Sequence, residues 1–469
     1  MTITDIKTIA DLKKADYKVL SVREEIRKNL IVKMETNQPI FPGILGYDTT
    51  VIPQIQNAII AGQDIIFLGE RGQGKSRLIR SLVDLLDEFI PTIAGCEIND
   101  NPFDPLCSQC RSIKNEKGNE TEIVWLERNR RYGEKLATPD ISIADLIGEI
   151  DPIKIAEGKY LSDELTIHYG LIPRVNRGIF CINEIPDLAE RIQVGLLNLM
   201  EERDIQVRGF KMRLPLDIFV VASANPEDYT NRGRIITPLK DRYGAQIRTH
   251  YPFTVNNEIL IAEQEQVKFK DHNFIMPKFM AIVLAKLTML CRHSTEINQR
   301  SGVSVRLSIA NYETLGAASI VRSIINHEEV AVPRISDLNS IRPSTIGKLE
   351  FEIVEDGKEE AILSKLLETA IIETFNEYFQ DSDLDSIIND FDQGLILETG
   401  NDMPSSDYKT QGIDSKFTTI MGKLEDLNND AMFASSLEFL LEGLYLTNKI
   451  GRSNPNDNKT TYMTKKQRS

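Results

Sequence analysis

The residues best equipped for chemistry in this 469-residue chain form one octet, Gly69-Glu70-Arg71-Gly72-Gln73-Gly74-Lys75-Ser76. It follows the apolar run Ile65-Ile66-Phe67-Leu68 and opens a helical pattern through Leu78, Ile79, Leu82, Leu85 and Leu86. Gly69, Gly72 and Gly74 let backbone N–H groups turn inward around a β-phosphate, with Gln73 and Arg77 in the same cradle. Lys75 reaches β/γ oxygens, and the Ser76 hydroxyl is placed to ligate Mg²⁺. A chance glycine-rich turn would lack the strand before it and the helix after it. The spacing therefore predicts a P-loop that takes ATP and Mg²⁺.

Two polar pairs end later apolar runs. Asn183-Glu184 closes Gly178-Ile179-Phe180-Cys181-Ile182, where P-loop ATPases usually carry Asp-Glu. Glu184 is placed to polarise the water that attacks a γ-phosphate. Asn183 can accept a hydrogen bond from a metal-bound water but brings no charge, so slow hydrolysis is an expectation. Asn225-Pro226 closes Ile218-Phe219-Val220-Val221-Ala222, and Asn225 is expected to hold the same water. Ahead of the P-loop, Ile44 and Leu45 lie in a compact apolar turn that either packs on an adenine base or belongs to the core.

A third cluster lies between these. Cys107-x-x-Cys110 has zinc-knuckle spacing and Cys96 offers a third thiolate, but the nearby fourth ligand is only a carboxylate, Asp100 or Asp104. Ordinary loop thiols are the favoured reading over a structural Zn²⁺. Asp381-x-Asp383-x-Asp385 imitates a calcium loop, yet Ser386 and Asp392 replace its glycine and glutamate, which favours a solvated acidic turn.

The elements that must position these groups are apolar runs at α/β spacing: Ile65–Leu68, Ile123–Leu126, Gly178–Ile182, Ile218–Ala222 and a weaker Gln246–His250. Near-continuous apolar strands separated by helical patterns predict an α/β fold with a five-stranded parallel sheet covered on both faces, its chemistry at the strands' carboxyl ends. The balance of 55 basic against 70 acidic residues, −15 in net charge, disfavours a nucleic-acid partner. Apolar runs fall short of a membrane span and no secretory segment opens the chain, so a cytoplasmic protein is expected. Five cysteines are expected as reduced thiols.

From Phe41 to Pro252 the chain resembles the ATPase subunit of magnesium chelatase and its MoxR-type relatives, AAA+ proteins of the helix-2-insert clade. The resemblance is carried by the P-loop, Ala137-Thr138-Pro139-Asp140 through Asp151, Gly170-Leu171-Ile172-Pro173-Arg174, Asn225-Pro226-Glu227 and Leu239-Lys240-Asp241-Arg242-Tyr243-Gly244. It implies that Arg242 is an arginine finger for a neighbouring subunit, oriented by Asp241, and that Arg306, or failing it Arg300, is the lid arginine. It further implies a homo-oligomeric, hexameric ring and a separate partner bearing a von Willebrand A/integrin-like adhesion domain. The implied function is a motor that remodels a protein partner or assists metal insertion; a weakly hydrolysing switch or scaffold is the alternative, and a nucleic-acid motor a lesser one.

The expected organisation is an N-terminal helical segment over 1–40, the α/β domain over 41–252 and a helical lid over 253–330. An acidic helical extension over 331–452 and a disordered tail over 453–469 follow. Within the α/β domain lie a Cys-bearing insertion at 94–120, the helix-2 insert at 152–172 and a basic hairpin at 204–215, its Arg208, Phe210, Lys211 and Arg213 either gripping an extended substrate or serving as edge-strand charges that discourage aggregation.

Overall fold

The computed structural model describes residues 5–150, 166–206, 213–225, 233–352, 357–380, 384–456 and 459–465. The chain divides into two compact units, Met1–His250 and Tyr251–Ser469. Most of the expected helix-2 insert, the tip of the basic hairpin, Pro226-Glu227 and the pair Asp381 and Asp383 lie outside the described residues.

In the first unit, α1 (Ile9–Lys14) and α2 (Val22–Glu35) are both opened by capping boxes, at Thr8 and Ser21. Both lie within residues 1–40. Next come α3 (Val51–Ile60), β1 (Ile65–Leu68) and α4 (Lys75–Ser81), followed by β2 (Phe89–Ile93), α5 (Ser108–Lys117), β3 (Ile123–Glu127) and β4 (Tyr132–Leu136). The ribbon β5 (Gly148–Ile150) and β6 (Ile167–Tyr169) precedes β7 (Gly178–Asn183). The ribbon β8 (Asp204–Gln206) and β9 (Arg213–Pro215) precedes β10 (Ile218–Ala224), and β11 (Ala245–Arg248) is last.

Five of these strands form one parallel sheet in the order β11-β1-β10-β7-β4. Every residue of β7 and β10 is buried, which is why both read as unbroken apolar runs. Alternate side chains feed two cores. Ile65, Phe67, Ile179, Cys181, Phe219 and Val221 pack with α2, α3 and α4 on one face. Ile66, Phe180, Ile182, Val220 and Ala222 face the other.

One strand differs from expectation. Ile123–Glu127 is not in the parallel sheet; it pairs antiparallel with β2, with Trp125 and Ile123 in a small cluster around Leu12 of α1. The fifth sheet strand is β4, whose Tyr-Gly-Glu-Lys-Leu sequence is too polar to predict a core strand. It is an edge strand with one neighbour, in which Gly133 alone is fully buried. Gly133 is required there, because a Cβ would meet Val175 at 2.7 Å.

The second unit is helical, built on Val255–Glu265, Lys278–His293, Arg306–Ile325, Lys358–Phe379 and Asp430–Leu446. A single core runs from Ala262 to Tyr462. The expected boundary at 330 therefore divides helices that share one core. The expected disordered tail also differs: β13 (Gly451–Asn456) and β14 (Lys459–Met463) pair antiparallel, and β14 pairs with β12 (Leu397–Thr399). Tyr462 is the anchor, buried with its hydroxyl donating to Glu442 Oε2 at 2.6 Å. Polar composition concealed a strand whose partner lies about sixty residues earlier.

Layer α2 is held to the sheet by a buried ion pair. Arg131 donates to both oxygens of Glu25, at 2.7 and 2.6 Å, and to the Arg177 carbonyl just ahead of β7. Their side chains are 0% and 4% exposed. Removing one partner of such a pair leaves a buried charge uncompensated, at a cost of about 3–5 kcal/mol. Arg131→Met is expected to destabilise the chain by that amount in denaturant unfolding, and Glu25→Leu in the same background to recover part of it. A loss below about 1 kcal/mol would show that water replaces the pair.

Candidate functional site

The site is assembled where β1, β10 and β7 end together. Leu68 pairs with Ala224, and the Gly69 N–H donates to the Ala224 carbonyl at 3.1 Å. The P-loop thus begins level with Asn225. Gly72 and Gly74 take φ of 75° and 72°, left-handed values open to glycine, and Gly74 delivers the chain into α4. A Cβ on Gly69 would meet Thr249 Oγ1 at 2.0 Å and Gln73 Oε1 at 2.2 Å.

The Lys75 side chain is buried, its ammonium donating to the carbonyls of Gly69 and, at 2.9 Å, Glu70. Ser76 and Arg77 are exposed on the first turn of α4. Gln73 is held from two sides: Thr249 donates to its Oε1 at 2.6 Å, and the Tyr47 hydroxyl reaches its carbonyl at 2.7 Å and that of His250 at 2.8 Å. Burial pushes the Tyr47 phenol up to about 12, so it remains a donor at neutral pH. A cleft of about 420 Å³ beside the loop is lined by Leu68, Gly69, Glu70, Gln73, Lys240, Arg248 and Thr249. In the turn before α3, Ile44 packs against the core beneath α4, while Leu45 is half-buried.

At the end of β7, Glu184 adopts φ 54° and ψ 48°. A left-handed glutamate at a strand end is a strained conformation of the kind that functional sites hold. Ser223 on β10 fixes it. Its Oγ accepts from the Glu184 N–H at 3.1 Å and donates to Asn183 Oδ1 at 3.1 Å. Asn225 is 1% exposed, and its Oδ1 has no hydrogen-bond partner among the described residues. A buried amide oxygen without a protein partner is one that a bound water would satisfy.

Asn183 is not isolated from negative charge. Its Nδ2 donates to Glu134 Oε1 on the adjoining β4, and Arg80 of α4 closes on the same carboxylate at 2.9 and 3.0 Å. Hydrogen bonds from Arg80 hold the Glu134 carboxyl below the usual carboxylate range, against the opposing effect of burial. The sequence reading missed Glu134 because it missed β4. Ser223, Tyr47 and Thr249 carried no spacing signal either; only the sheet register brings them here.

The other expected site residues have their own surroundings. Arg242 ends the helix Thr237–Arg242, where it is ion-paired with Glu201 and donates to the Pro238 carbonyl at 2.7 Å. Its partner is thus Glu201 of the helix Leu197–Glu201, where Asp241 was expected. In the second unit, Arg306 is exposed at the head of Arg306–Ile325, and Arg300 is exposed in the preceding turn. Cys96, Cys107 and Cys110 converge with Asp100 in the β2–α5 insertion.

A family model for the sigma-54 interaction domain matches residues 156–239. The chain is 30% identical over 258 residues to the chloroplastic magnesium-chelatase subunit ChlI-2 of Arabidopsis thaliana, covering 52% of this chain and 54% of that protein. It is 27% identical over 251 residues to the magnesium-chelatase 38 kDa subunit of Cereibacter sphaeroides, covering 51% and 67%. The chain thus spans about half the length of the first curated relatives it matches. A solved model of magnesium-chelatase subunits BchI and BchD aligns at 18% identity and a TM-score of 0.35, covering 69% of this chain and 99% of that one. No helix among the described residues is long and apolar enough to cross a membrane. The strand order and the loop at its head make this a P-loop α/β core, and about half of the chain is similar to magnesium-chelatase subunit ChlI-2.

Proposed function

We propose that the chain is a ring-forming, cytoplasmic AAA+ ATPase that couples ATP hydrolysis to remodelling of a protein partner or to assisted metal insertion. The observation that carries the reading is the level edge of β1, β10 and β7, where the P-loop, the buried and unpartnered Asn225 Oδ1 and the strained Glu184 follow the strand ends. Lys75 and the loop N–H groups bind the phosphates. Ser76, with Asn183 through a metal-bound water, would hold Mg²⁺, which supplies neutralising charge to the β/γ oxygens. Glu184 and Asn225 orient and polarise the attacking water. Leu45 in the half-buried turn would meet the adenine with Ile44 beneath it, and Arg306 would act as the lid arginine. The hexameric ring and a separate von Willebrand A/integrin-like partner are proposals resting on the resemblance alone.

Lys75→Ala and Ser76→Ala are expected to weaken MgATP binding, and Glu184→Gln to bind ATP but release no phosphate. Calorimetric titration and phosphate release test this directly; wild-type ATP affinity in both P-loop variants would remove the assignment. Wild-type turnover in Glu184→Gln would favour another base.

The slow-switch alternative is favoured by one contact, Asn183 against Glu134. Asn183→Asp would set two carboxylates in hydrogen-bond contact, and one must take up a proton or move away. The single change is therefore expected to lower thermal stability at neutral pH and leave turnover no higher, whereas Asn183→Asp with Glu134→Gln recovers both stability and tight Mg²⁺ dependence. Because the wild-type Glu134 pKa is depressed, what it contributes to stability is present above the ordinary carboxylate pKa and is lost as pH falls through its folded value. A fully active Asn183→Asp single variant would show that Glu134 does not shape this position.

Arg242 tests the ring. Held on its own subunit's surface by Glu201, it is proposed to act on a neighbour's nucleotide. Arg242→Ala and Lys75→Ala chains, each nearly inactive, should recover partial hydrolysis when mixed, since some interfaces join an intact P-loop to an intact finger. Such fingers are worth about 10³–10⁵ in rate. Mixed rings that form and show no activity above either parent would refute action in trans.

A further inference from the structure

A second cluster of reactive side chains lies in the insertion between β2 and β3, outside the phosphate site. Cys96 and Asp100 come from the turns after β2, and Cys107 and Cys110 from the start of α5. One ligand atom from each of the four lies within 4.8 Å of the others. Cys107 and Cys110 are 6% and 1% exposed, Asp100 is 0% exposed, and none of the thiols is in a disulfide.

Asp100 shows what the cluster is missing. Its Oδ2 accepts from the Cys107 N–H at 3.0 Å, but its Oδ1 is buried with no hydrogen-bond partner among the described residues. A buried, half-satisfied carboxylate beside three thiols is costly unless a cation meets it. The sulfurs are prepared for negative charge as well. The N–H groups of Asp100 and Cys110 donate to Cys96 Sγ and Cys107 Sγ, both at 3.3 Å, and Cys107 caps the positive end of the ten-residue helix α5. A disulfide would use two thiols and leave Asp100 Oδ1 unanswered.

We propose that Cys96, Asp100, Cys107 and Cys110 form a structural Zn²⁺ site with four protein ligands. Tetrahedral zinc with Zn–S bonds of about 2.3 Å sets its sulfurs about 3.8 Å apart, a span the cluster accommodates. On binding, the three thiols give up their protons to solvent and the carboxylate enters as its anion. The structure selects Asp100 as the fourth ligand over Asp104, which is exposed. With every ligand supplied by protein, the site is closed to substrate, and its work is to tie the 96–100 turn to the head of α5. That turn in turn holds the approach to β7: Asn99 donates to the Arg174 carbonyl at 2.6 Å, and Asn176 donates to the Ile98 carbonyl at 3.1 Å. The inference rests on no part of the ATPase reading.

The test is metal content of the full chain, purified under reducing conditions and equilibrated with Zn²⁺ alone. About one zinc per chain is expected by mass spectrometry, with X-ray absorption showing three sulfurs at about 2.3 Å and one oxygen at about 2.0–2.2 Å. Cys110→Ser and Asp100→Asn should each weaken zinc binding by at least about tenfold, and Asp104→Asn should leave it unchanged. Asp100→Asn is the decisive variant, because the amide keeps the side chain's shape and its bond from the Cys107 N–H while removing the charge. Absence of zinc from the folded wild-type chain, an iron–sulfur cluster in its place, or wild-type zinc affinity in Asp100→Asn would overturn the proposal.

Discussion

The register of β1 against β10 is the constraint on which the site depends. Four parallel pairs, Ile65 with Val221 through Leu68 with Ala224, make the two strands end level, and the Gly69 N–H continues the ladder by one bond. A slip of one residue would turn Phe67 from one core to the other and carry the P-loop away from Asn225. Register is held from below by Asp64, which is 2% exposed and joins Arg23 of α2 at 2.6 Å, Arg203 and the Val220 N–H at 3.0 Å. That carboxylate links the first helical layer, the start of β1 and the body of β10 in one contact set.

The carboxyl end of β7 sets an uncharged side chain against a charged one. Asn183 is bridged by hydrogen bond to a carboxylate one strand away, Glu134, which Arg80 anchors. Since Arg80 belongs to α4, which Lys75 opens, the phosphate loop and the strand-end polar group are joined through three side chains. The Glu184 backbone strain is supported by the same local network, through Ser223.

The second unit relies on buried ionic groups in place of a large sheet. Arg322 donates to Asp337 and Glu328, Arg334 to Glu328, and Tyr408 to Glu438 at 2.5 Å, all well inside the unit. Burial and the adjacent Glu438 carboxylate hold the Tyr408 phenol well above its ordinary value, so it stays a donor. Such networks confer little net stability but penalise any packing that leaves one member unpaired.

What the sequence determined by itself was whatever rested on local spacing or continuous burial. The P-loop was legible from eight residues, and β1, β7 and β10 from unbroken apolar runs, because a strand covered on both faces must be apolar throughout. Only the tertiary structure decided the groups whose partners are distant. Edge strand β4 is too polar to be told from a loop, so Glu134 was invisible, while the apolar Ile123–Leu126 run was drawn into a satellite ribbon by Leu12 of α1. Polar composition likewise hid β14, which depends on one buried tyrosine and a strand far earlier in the chain. Spacing from the cysteines does not choose between Asp100 and Asp104. Burial separates them, and burial is set by a fold in which the Asn99 and Asn176 side chains bond across more than seventy residues.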